Sequence, residues 1–357
     1  MKKIPLILFG IGGVGRALVR QIVASRQTVA QRNQLQFNIV AVADSRQWLF
    51  APAGFSDEAL LALEAAKGAG QGLGADAADY ALAADLVHAV HSAGVGQAIV
   101  VDVTAVAGME PALNAALDAG DGVVLANKKA LAGPWETAQR YFDNPAVRHE
   151  STVGGGQPVI ATLRYLMDIR DTVFEISGQL SGTLGFLCQE LDGERPFAEA
   201  LAEAKARGYT EPDPREDLSG QDVMRKVLIL ARMAGWPLSA DDIEVEALYP
   251  PEMAELGVNQ FMAASPSLNA GLAARVAQAQ AQGHVLRYVA RVTKEGGKVG
   301  LTAVPRHSPT ANLKYISFHT ALYDDDPLLI CGKGAGVEMT AGGVLGDLIG
   351  LGRELFQ

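Results

Sequence analysis

The feature that most constrains this chain is a glycine-rich segment between an apolar run and an amphipathic stretch. It fits the pattern GxGxxG, follows the apolar residues 4–9 and precedes residues 16–24, which have helical spacing. Glycines there permit a tight strand-to-helix turn, and the helix N-terminus directs its N–H groups and positive dipole end toward a phosphate. We therefore predict a dinucleotide-binding unit, with a glycine turn that holds no ligand as the alternative. The predicted cofactor contacts are Gly10, Ile11, Gly12, Gly13, Val14 and Gly15.

Apolar runs alternate with helical patterns through the first third of the chain. Residues 4–9, 37–43, 98–103 and 123–126 are predicted to be strands. Strands that alternate with helices in this way form a Rossmann-type doubly wound parallel sheet. Between the second and third strands, residues 51–85 are rich in Ala and Gly, and we predict a mobile surface excursion with a short helix there.

The pattern changes at about residue 150, which predicts an α+β second domain. The signals are a strand at 173–177, a helix at 197–207 that ends at Gly208, a hairpin formed by 285–292 and 299–304, and a strand at 315–323. The last helical stretch follows a second glycine cluster and is expected to return to the first domain. We predict a dinucleotide-binding domain at 1–149 and 332–357, and a catalytic and dimerisation domain at 150–331.

Charge and cysteine content exclude several functional classes. A net charge of -10 gives nucleic acid or an anionic membrane no electrostatic reason to bind, so a small-molecule partner is expected. The apolar start lacks a small-residue cleavage site, and no apolar stretch approaches the ~18 residues of a membrane span, so a cytoplasmic protein is predicted. Cys188 and Cys331 match no disulfide or zinc spacing and are predicted to be buried structural thiols.

Asp44 closes the second predicted strand, where a carboxylate can accept hydrogen bonds from the adenosine ribose and repel a 2′-phosphate. Arg46 follows almost at once, and an arginine there can hold a 2′-phosphate. NAD and NADP therefore both remain open. The alternative for Asp44 is a strand-end cap.

Lys128 and Lys129 follow the fourth predicted strand, at the carboxyl edge where doubly wound sheets bind ligands. Two lysines at the expected start of a helix oppose the helix dipole, which favours an anionic or hydroxylated ligand beside them. The alternative is a pair of solvated surface lysines.

The densest polar stretch covers residues 208–226. Its prolines predict a stiff, non-helical strap at 211–214, and Ser219 is predicted to begin a helix that makes Asp222 and Lys226 i, i+4 neighbours. A capping box with a plain helix ion pair is the alternative. A sheltered lysine can instead accept a hydroxyl proton while hydride leaves the same carbon. The carboxylates that could bind an ammonium group are Glu211, Asp213, Asp217 and Asp222.

With these residues in view, the chain resembles homoserine dehydrogenases, most closely the fungal enzymes and the dehydrogenase half of bifunctional aspartokinase/homoserine dehydrogenases. The resemblance runs nearly end to end, and its most specific part is the Gly-Tyr-x-Glu-Pro-Asp-Pro run at 208–214 with Asp222 and Lys226 downstream. The other matching segments are residues 10–15, 101–104, 126–129, 150–158, 177–183 and 332–336.

The resemblance implies a Rossmann domain and a mixed catalytic domain whose sheet builds a homodimer. It implies NAD(P)-dependent interconversion of L-homoserine and L-aspartate 4-semialdehyde, in the route from aspartate to threonine, methionine and isoleucine. Lys226 would be the proton donor and acceptor, and Lys128 would contact cofactor and substrate. Glu211 and Asp222 would bind homoserine, with Asp217 in support. Further implied contacts are Thr104, Gly208 and Gly336 for the cofactor, and Glu150 with the carbonyls of Val153, Gly155 and Gln157 for a monovalent cation such as Na⁺.

Some positions depart from the family pattern. Asp44 stands where some NADP-using relatives carry a neutral residue, and Gln157 replaces a common apolar residue, a change that a backbone ligand would survive. No regulatory segment follows the terminal helix, so we expect a short form with little inhibition by threonine.

Two other functional classes fit the sequence less well. An aspartate-semialdehyde dehydrogenase would need a nucleophilic cysteine with a base beside it, and neither cysteine has such a partner in the sequence pattern. A catalytically silent cofactor sensor would not need the lysine and carboxylate cluster.

Overall fold

The computed structural model describes residues 1–79 and 82–356, and it divides into two compact units. Unit 1 comprises Met1–Ala161 and the described part of Gly334–Gln357, and unit 2 comprises Thr162–Lys333. The predicted excursion at 51–85 includes Tyr80 and Ala81, which lie outside the described residues, as Gln357 does.

The two units contain the following elements. The strands are β1 (Lys2–Phe9), β2 (Leu35–Ala43), β3 (Gln47–Phe50), β4 (Ala78–Asp79), β5 (Ile99–Asp102), β6 (Gly122–Leu125), β7 (Val147–Arg148), β8 (Val173–Gly178), β9 (Ile243–Val245), β10 (His284–Thr293), β11 (Gly296–Pro305), β12 (Tyr315–Thr320) and β13 (Leu328–Cys331). The helices are α1 (Gly13–Asn33), α2 (Asp57–Gly68), α3 (Ala83–Ser92), α4 (Glu110–Asp118), α5 (Trp135–Phe142), α6 (Val159–Asp168), α7 (Gly182–Asp192), α8 (Phe197–Ala206), α9 (Pro214–Leu218), α10 (Gln221–Met233), α11 (Val258–Ala264), α12 (Asn269–Ala281) and α13 (Val337–Leu355).

The sheet of unit 1 has the order β4-β3-β2-β1-β5-β6-β7. All pairings from β2 to β7 are parallel, which confirms the predicted Rossmann-type sheet, and β3 and β4 add antiparallel strands at one edge. Leu6 and Leu8 pack with α1 and α13 in one core, and Ile7 and Phe9 on the opposite face of β1 are also buried. Burial on both faces is why β1 is apolar throughout its centre rather than alternating.

The sheet of unit 2 has the order β13-β12-β8-β10-β11-β9, and its pairings are antiparallel except that between β9 and β11. Helices α7, α10 and α12 pack against β10. The predicted hairpin is confirmed by the register of β10 and β11, which pairs His284 with Pro305 and Thr293 with Gly296. This mixed arrangement is the expected α+β fold.

Two of the differences between the predicted and the observed helices affect candidate site residues. The helix predicted to begin at Ser219 begins at Gln221, because Gly220 takes a φ of 72°, a left-handed conformation that separates α9 from α10. No helix begins at Lys128: residues 127–134 form turns, and α5 begins after Pro134. The argument that Lys128 and Lys129 oppose a helix dipole is therefore wrong. The two lysines are positioned instead because they follow the end of β6.

The described residues contain no helix with the length and apolarity that a membrane crossing requires.

We expect Gly346→Ala to stabilise the protein and Gly343→Ala to destabilise it, although both glycines lie on α13. A Cβ at Gly346 meets nothing within 4 Å, and a helix favours alanine over glycine by up to about 1 kcal/mol. A Cβ at Gly343 would lie 2.3 Å from the Ser151 hydroxyl oxygen and 2.8 Å from the Gly155 carbonyl oxygen, which costs about 1–3 kcal/mol. Urea unfolding measures the free energy of unfolding of each variant. Equal changes in the two variants would contradict this packing of α13.

Candidate active site

The glycine-rich turn of unit 1 connects β1 to α1 at the edge of a cavity. Gly10 has a φ of 97°, and a Cβ on Gly15 would lie 2.0 Å from the Gly10 carbonyl oxygen. Only glycine at position 15 therefore allows α1 to start this close to the turn. The cavity has a volume of 480 Å³, a size typical of small-molecule sites. It is lined by Phe9, Gly10, Ile11, Gly12, Gly13, Arg16, Asp44, Ser45, Lys67, Thr104, Val106 and Met109.

Asp44 lies at this cavity, and its carboxylate has partners on both oxygens. One oxygen accepts the N–H groups of Arg46 and Gln47, each at 2.9 Å, and the other lies 2.8 Å from Lys67 Nζ. Burial raises the pKa of Asp44, but Lys67 and the two N–H groups lower it more, so the pKa lies below its ordinary value. Asp44 is therefore an ionised group whose charge is compensated by a lysine in the same cavity.

Lys67 is a site residue that sequence reasoning missed. It lies in the last turn of α2, the short helix predicted within residues 51–85, and the packing of α2 against α1 brings it to the cavity. Arg46, the candidate that the sequence suggested for a 2′-phosphate, is exposed and is not among the described residues that line the cavity. No local sequence signal marks Lys67, because only the docking of α2 places it.

The loops after β5 and β6 carry Thr104 and Lys128. Thr104 lines the cavity, and a Cβ on Gly10 would lie 3.1 Å from its Cγ2 and backbone N. Lys128 is half-buried and follows Asn127, whose Nδ2 donates to Thr104 Oγ1 at 3.0 Å and to the Val106 carbonyl at 2.8 Å. The two loops therefore form one connected structure.

In unit 2, Lys226 is held by two oxygen atoms from different elements. Its Nζ lies 2.7 Å from an Asp222 carboxylate oxygen, one turn earlier on α10, which confirms the predicted i, i+4 pair. The same Nζ donates at 2.9 Å to the carbonyl of Leu180, in the loop between β8 and α7. Because the Lys226 side chain is 19% exposed, this ammonium group is more sheltered than one in an ordinary surface pair.

Asp217, also within residues 208–226, is the centre of a second hydrogen-bond cluster. Its carboxylate accepts the Glu211 N–H at 2.8 Å and the Thr183 hydroxyl at 2.9 Å, and that hydroxyl also lies 2.6 Å from the Tyr209 carbonyl. Burial raises the pKa of Asp217, although both hydrogen bonds lower it, and the nearby Asp222 charge adds to the rise. Thr183 was not predicted as a site residue, although it lies in the motif at 177–183.

The remaining carboxylate of the stretch, Asp213, has a structural role. It caps the N-terminus of α9 by accepting the Arg215 N–H, and it also pairs with the Arg215 guanidinium. Arg215 holds the pKa of Asp213 below its ordinary value. Of the four carboxylates that the sequence offered as ammonium ligands, this one pairs with an arginine.

Glu150 of unit 1 caps the first turn of α6. Its two carboxylate oxygens accept the N–H groups of Ile160 and Ala161 at 2.7 and 2.8 Å. The following loop has positive φ values at Gly154 and Gly155, and the Gln157 carbonyl accepts the Val159 N–H. Across the described residues, no group of three or more His, Cys, Asp or Glu is arranged to hold a metal ion. A cation here would depend on the carbonyl oxygens of the loop.

The cysteines do not provide a nucleophile. Cys188 is buried, and burial raises the pKa of its thiol to about 12, so the thiolate is scarcely populated near neutral pH. Cys331 is exposed on β13, and the prediction that both thiols are buried is wrong for this residue.

The structure brings several of the predicted residues of unit 1 together at one cavity. In unit 1, Gly10 to Gly13, Asp44 and Thr104 line one cavity, while Val14 and Gly15 belong to α1 behind it. Gly336, with a φ of 125°, precedes α13. In unit 2, Gly208 ends α8, and Glu211, Asp217, Asp222 and Lys226 follow within one continuous stretch. The roles of these residues remain predictions.

Two family models match the chain. The one described as homoserine dehydrogenase, NAD binding domain, matches residues 10–149, and the one described as homoserine dehydrogenase matches residues 158–349. The chain belongs to the homoserine dehydrogenase family. The resemblance inferred from the sequence motifs is therefore confirmed, and the cavity beside Gly10 lies in the NAD-binding domain of that family.

Relatives support the assignment to the homoserine dehydrogenase family along nearly the whole chain. A homoserine dehydrogenase of Paracoccidioides brasiliensis is 37% identical, over 98% of this chain and 97% of the relative. A bifunctional aspartokinase/homoserine dehydrogenase of Zea mays is 35% identical over 98% of this chain but only 38% of the relative, so the chain spans less than half the length of that enzyme. A Candida auris protein of unknown function has a crystal structure with a TM-score of 0.87 and 29% identity, covering 99% of both chains.

We expect Lys67→Ala to weaken NADPH binding far more than NADH binding. Without the lysine, the Asp44 carboxylate is uncompensated and repels a 2′-phosphate, and one charge-assisted contact is worth roughly 10- to 100-fold in affinity. Dissociation constants for both reduced cofactors, measured from nicotinamide fluorescence, report the effect.

Arg46→Ala is the matched control for Lys67→Ala, because it removes an exposed cation next to Asp44. It should change the dissociation constants of NADPH and NADH by no more than about twofold. Equal losses for NADPH and NADH in Lys67→Ala would show that Lys67 serves only to hold α2 against the turn.

Proposed function

We propose that this chain catalyses the NAD(P)-dependent interconversion of L-homoserine and L-aspartate 4-semialdehyde. The observation that carries the proposal is the sheltered Lys226 ammonium, placed by Asp222 and the Leu180 carbonyl in a chain of the homoserine dehydrogenase family. A lysine in this setting is suited to move a proton at the oxygen of an alcohol.

Oxidation of the alcohol removes a hydride from carbon and a proton from oxygen, and a C=O bond forms. A bound NAD(P) would supply the hydride acceptor for this reaction. In this proposal Lys226 moves the hydroxyl proton at its Nζ during oxidation and returns it when the aldehyde is reduced. Lys128, after β6 in the NAD-binding domain, contacts the cofactor and the substrate oxygen in this proposal.

The carboxylates of unit 2 account for recognition of an amino acid. Glu211 and Asp222 bind the substrate ammonium group, and Asp217 holds the Glu211 backbone in place through its 2.8 Å hydrogen bond. The Thr183 hydroxyl donates to the other oxygen of Asp217 and so helps to hold that carboxylate in place. A site with several carboxylates favours a substrate with a cationic amino group over an uncharged alcohol.

A monovalent cation is part of the proposal as a structural group. In this proposal the carbonyl oxygens of Val153, Gly155 and Gln157 and the Glu150 carboxylate would supply the oxygen donors that hard cations such as Na⁺ take. The cation would stiffen the loop after β7. Rates in sodium chloride and in choline chloride at equal ionic strength test its effect.

The activity is tested by the initial rate of L-homoserine oxidation at alkaline pH, followed at the nicotinamide absorbance with NAD and NADP in parallel. Turnover with either cofactor supports the proposed reaction. Absence of turnover with both, when fluorescence shows that the reduced cofactors bind, would contradict it.

We expect Lys226→Ala to lower kcat by about 10²- to 10⁴-fold, the usual contribution of general acid–base catalysis, with cofactor affinity close to the unchanged protein. Lys298→Ala is a matched control, because Lys298 also pairs with a carboxylate at 2.8 Å but lies 60% exposed on β11. Its kcat should change less than about twofold. A kcat for Lys226→Ala near that of the control would remove Lys226 from proton transfer.

We also propose that the sheet of unit 2 assembles a homodimer. The face formed by β8, β12 and β13 carries a groove of 400 Å³ lined by polar and apolar side chains, including Ser177, Tyr315, Ser317 and Leu329. Leu329 is 40% exposed there, and a second copy would cover it.

Light scattering during size-exclusion chromatography should give the mass of two chains for the unchanged protein. Leu329→Arg, at an exposed position of that face, should give one chain, whereas Ala274→Arg on the exposed side of α12 should leave two. A dimer that survives Leu329→Arg would place the interface elsewhere.

A further inference from the structure

A buried carboxylate outside the proposed reacting groups joins the two loops that carry Thr104 and Lys128. Asp102 is the last residue of β5, and it is fully buried. One of its carboxylate oxygens accepts the Thr104 N–H at 2.9 Å and the Thr104 hydroxyl at 2.7 Å. The other accepts Asn127 Nδ2 at 3.0 Å.

Asn127 extends this network into the second loop. Its side chain is buried, and its Oδ1 accepts the Lys129 N–H at 3.0 Å, so the amide spans the residue that follows it, Lys128. Its Nδ2 also donates to the Val106 carbonyl at 2.8 Å. The backbone carbonyl of Asp102 in turn accepts the Ala126 N–H at 2.9 Å. Both ends of the Lys128 loop are therefore fixed from β5.

We propose that Asp102 is a positioning residue that holds Thr104 against the glycine-rich turn and Lys128 at the end of β6 in one geometry. This inference rests on the proposed function for its catalytic consequence, because that function assigns Thr104 to the cofactor and Lys128 to the substrate oxygen. The network itself is independent of which substrate is used.

Burial of a carboxylate at this place has a cost that the groups donating to it must offset. Removing an ionisable group from water is unfavourable unless donors satisfy it, and Asp102 has three donated hydrogen bonds to offset that cost. Burial raises the pKa of Asp102, while the donors Thr104 and Asn127 lower it. An apolar side chain would pack here without that cost but would leave the Thr104 and Asn127 donors unpaired.

Asparagine at position 102 is the informative substitution, because it keeps the shape and replaces one acceptor by a donor. In Asp102→Asn the new NH₂ group faces either Asn127 Nδ2 or the Thr104 N–H, so one contact becomes donor against donor. We expect kcat for homoserine oxidation to fall by about 10- to 100-fold, because small errors in the position of reacting groups have effects of that size. Cofactor dissociation constants should rise by a smaller factor than kcat falls, because Thr104 loses a contact while the glycine-rich turn stays intact.

Asp121→Asn is the matched control. Asp121 is an equally buried aspartate of unit 1 that accepts the Ala98 N–H at 2.8 Å and lies 2.8 Å from His91 Nε2, just before β6 begins. The Asp121→Asn variant loses a comparable buried carboxylate, but at the end of the sheet that is remote from the cavity. Its melting temperature should fall as much as that of Asp102→Asn, with kcat within about twofold of the unchanged protein.

The exchanged double variant Asp102→Asn with Asn127→Asp restores one donor–acceptor pair between the two positions. Its kcat should be about tenfold higher than the product of the two single losses predicts, because the restored pair again links the loops, whereas the contact to the Val106 carbonyl that Asn127→Asp loses is already counted in that single variant. A double variant whose loss is the product of the single losses would overturn the proposal, as would an Asp102→Asn kcat no lower than that of Asp121→Asn.

Amide hydrogen exchange separates this inference from the proposed reaction. In Asp102→Asn, exchange at Thr104 and Lys129 should quicken by about tenfold, the effect of losing roughly one hydrogen bond, and Asp121→Asn should leave both unchanged. If the unchanged protein fails to oxidise homoserine while these amides respond, the proposed function fails and the network stands. Unaltered exchange at both amides overturns the network, whatever the activity.

Discussion

The parallel strands of unit 1 end at one level, and the candidate cofactor site depends on this alignment. Phe9 is paired with Ala43 on one side and with Asp102 on the other, and Asp102 is paired with Leu125. Backbone hydrogen bonds between parallel strands fix that register. The residues that follow these four strand ends therefore meet at one edge of the sheet, and they include Gly10, Asp44, Thr104 and Lys128.

Unit 2 builds its polar site by a different principle. Helix spacing alone brings Asp222 within 2.7 Å of Lys226, but the Leu180 carbonyl and the Thr183 hydroxyl come from a segment about forty residues earlier in the chain. The sheet and α10 hold that segment in place. A surface ion pair becomes a candidate catalytic group only when such a second contact restricts the lysine.

Buried charges are satisfied in both units, and this explains why they are tolerated. Arg287 is 1% exposed, yet its guanidinium pairs with Asp192 and donates to backbone carbonyls. Asp102 is satisfied by Thr104 and Asn127 in the same manner. The difference is location: Arg287 joins elements of a core, whereas Asp102 lies where two loops of the NAD-binding domain begin. Polar groups that are equally buried can thus differ in whether they affect function.

The sequence by itself determined the class of sheet, the glycine turn, the pairing of Asp222 with Lys226 and the family, because each depends on residues close together in the chain or on a specific motif. Periodicity and local sterics act over one turn of helix or one strand. Only the tertiary structure decided that Lys67 compensates Asp44, that Thr183 supports Asp217, and that Asp102 joins two loops. These contacts span 23, 34 and 25 residues. They form because sheet register and helix docking bring separate segments together, and no local pattern records that.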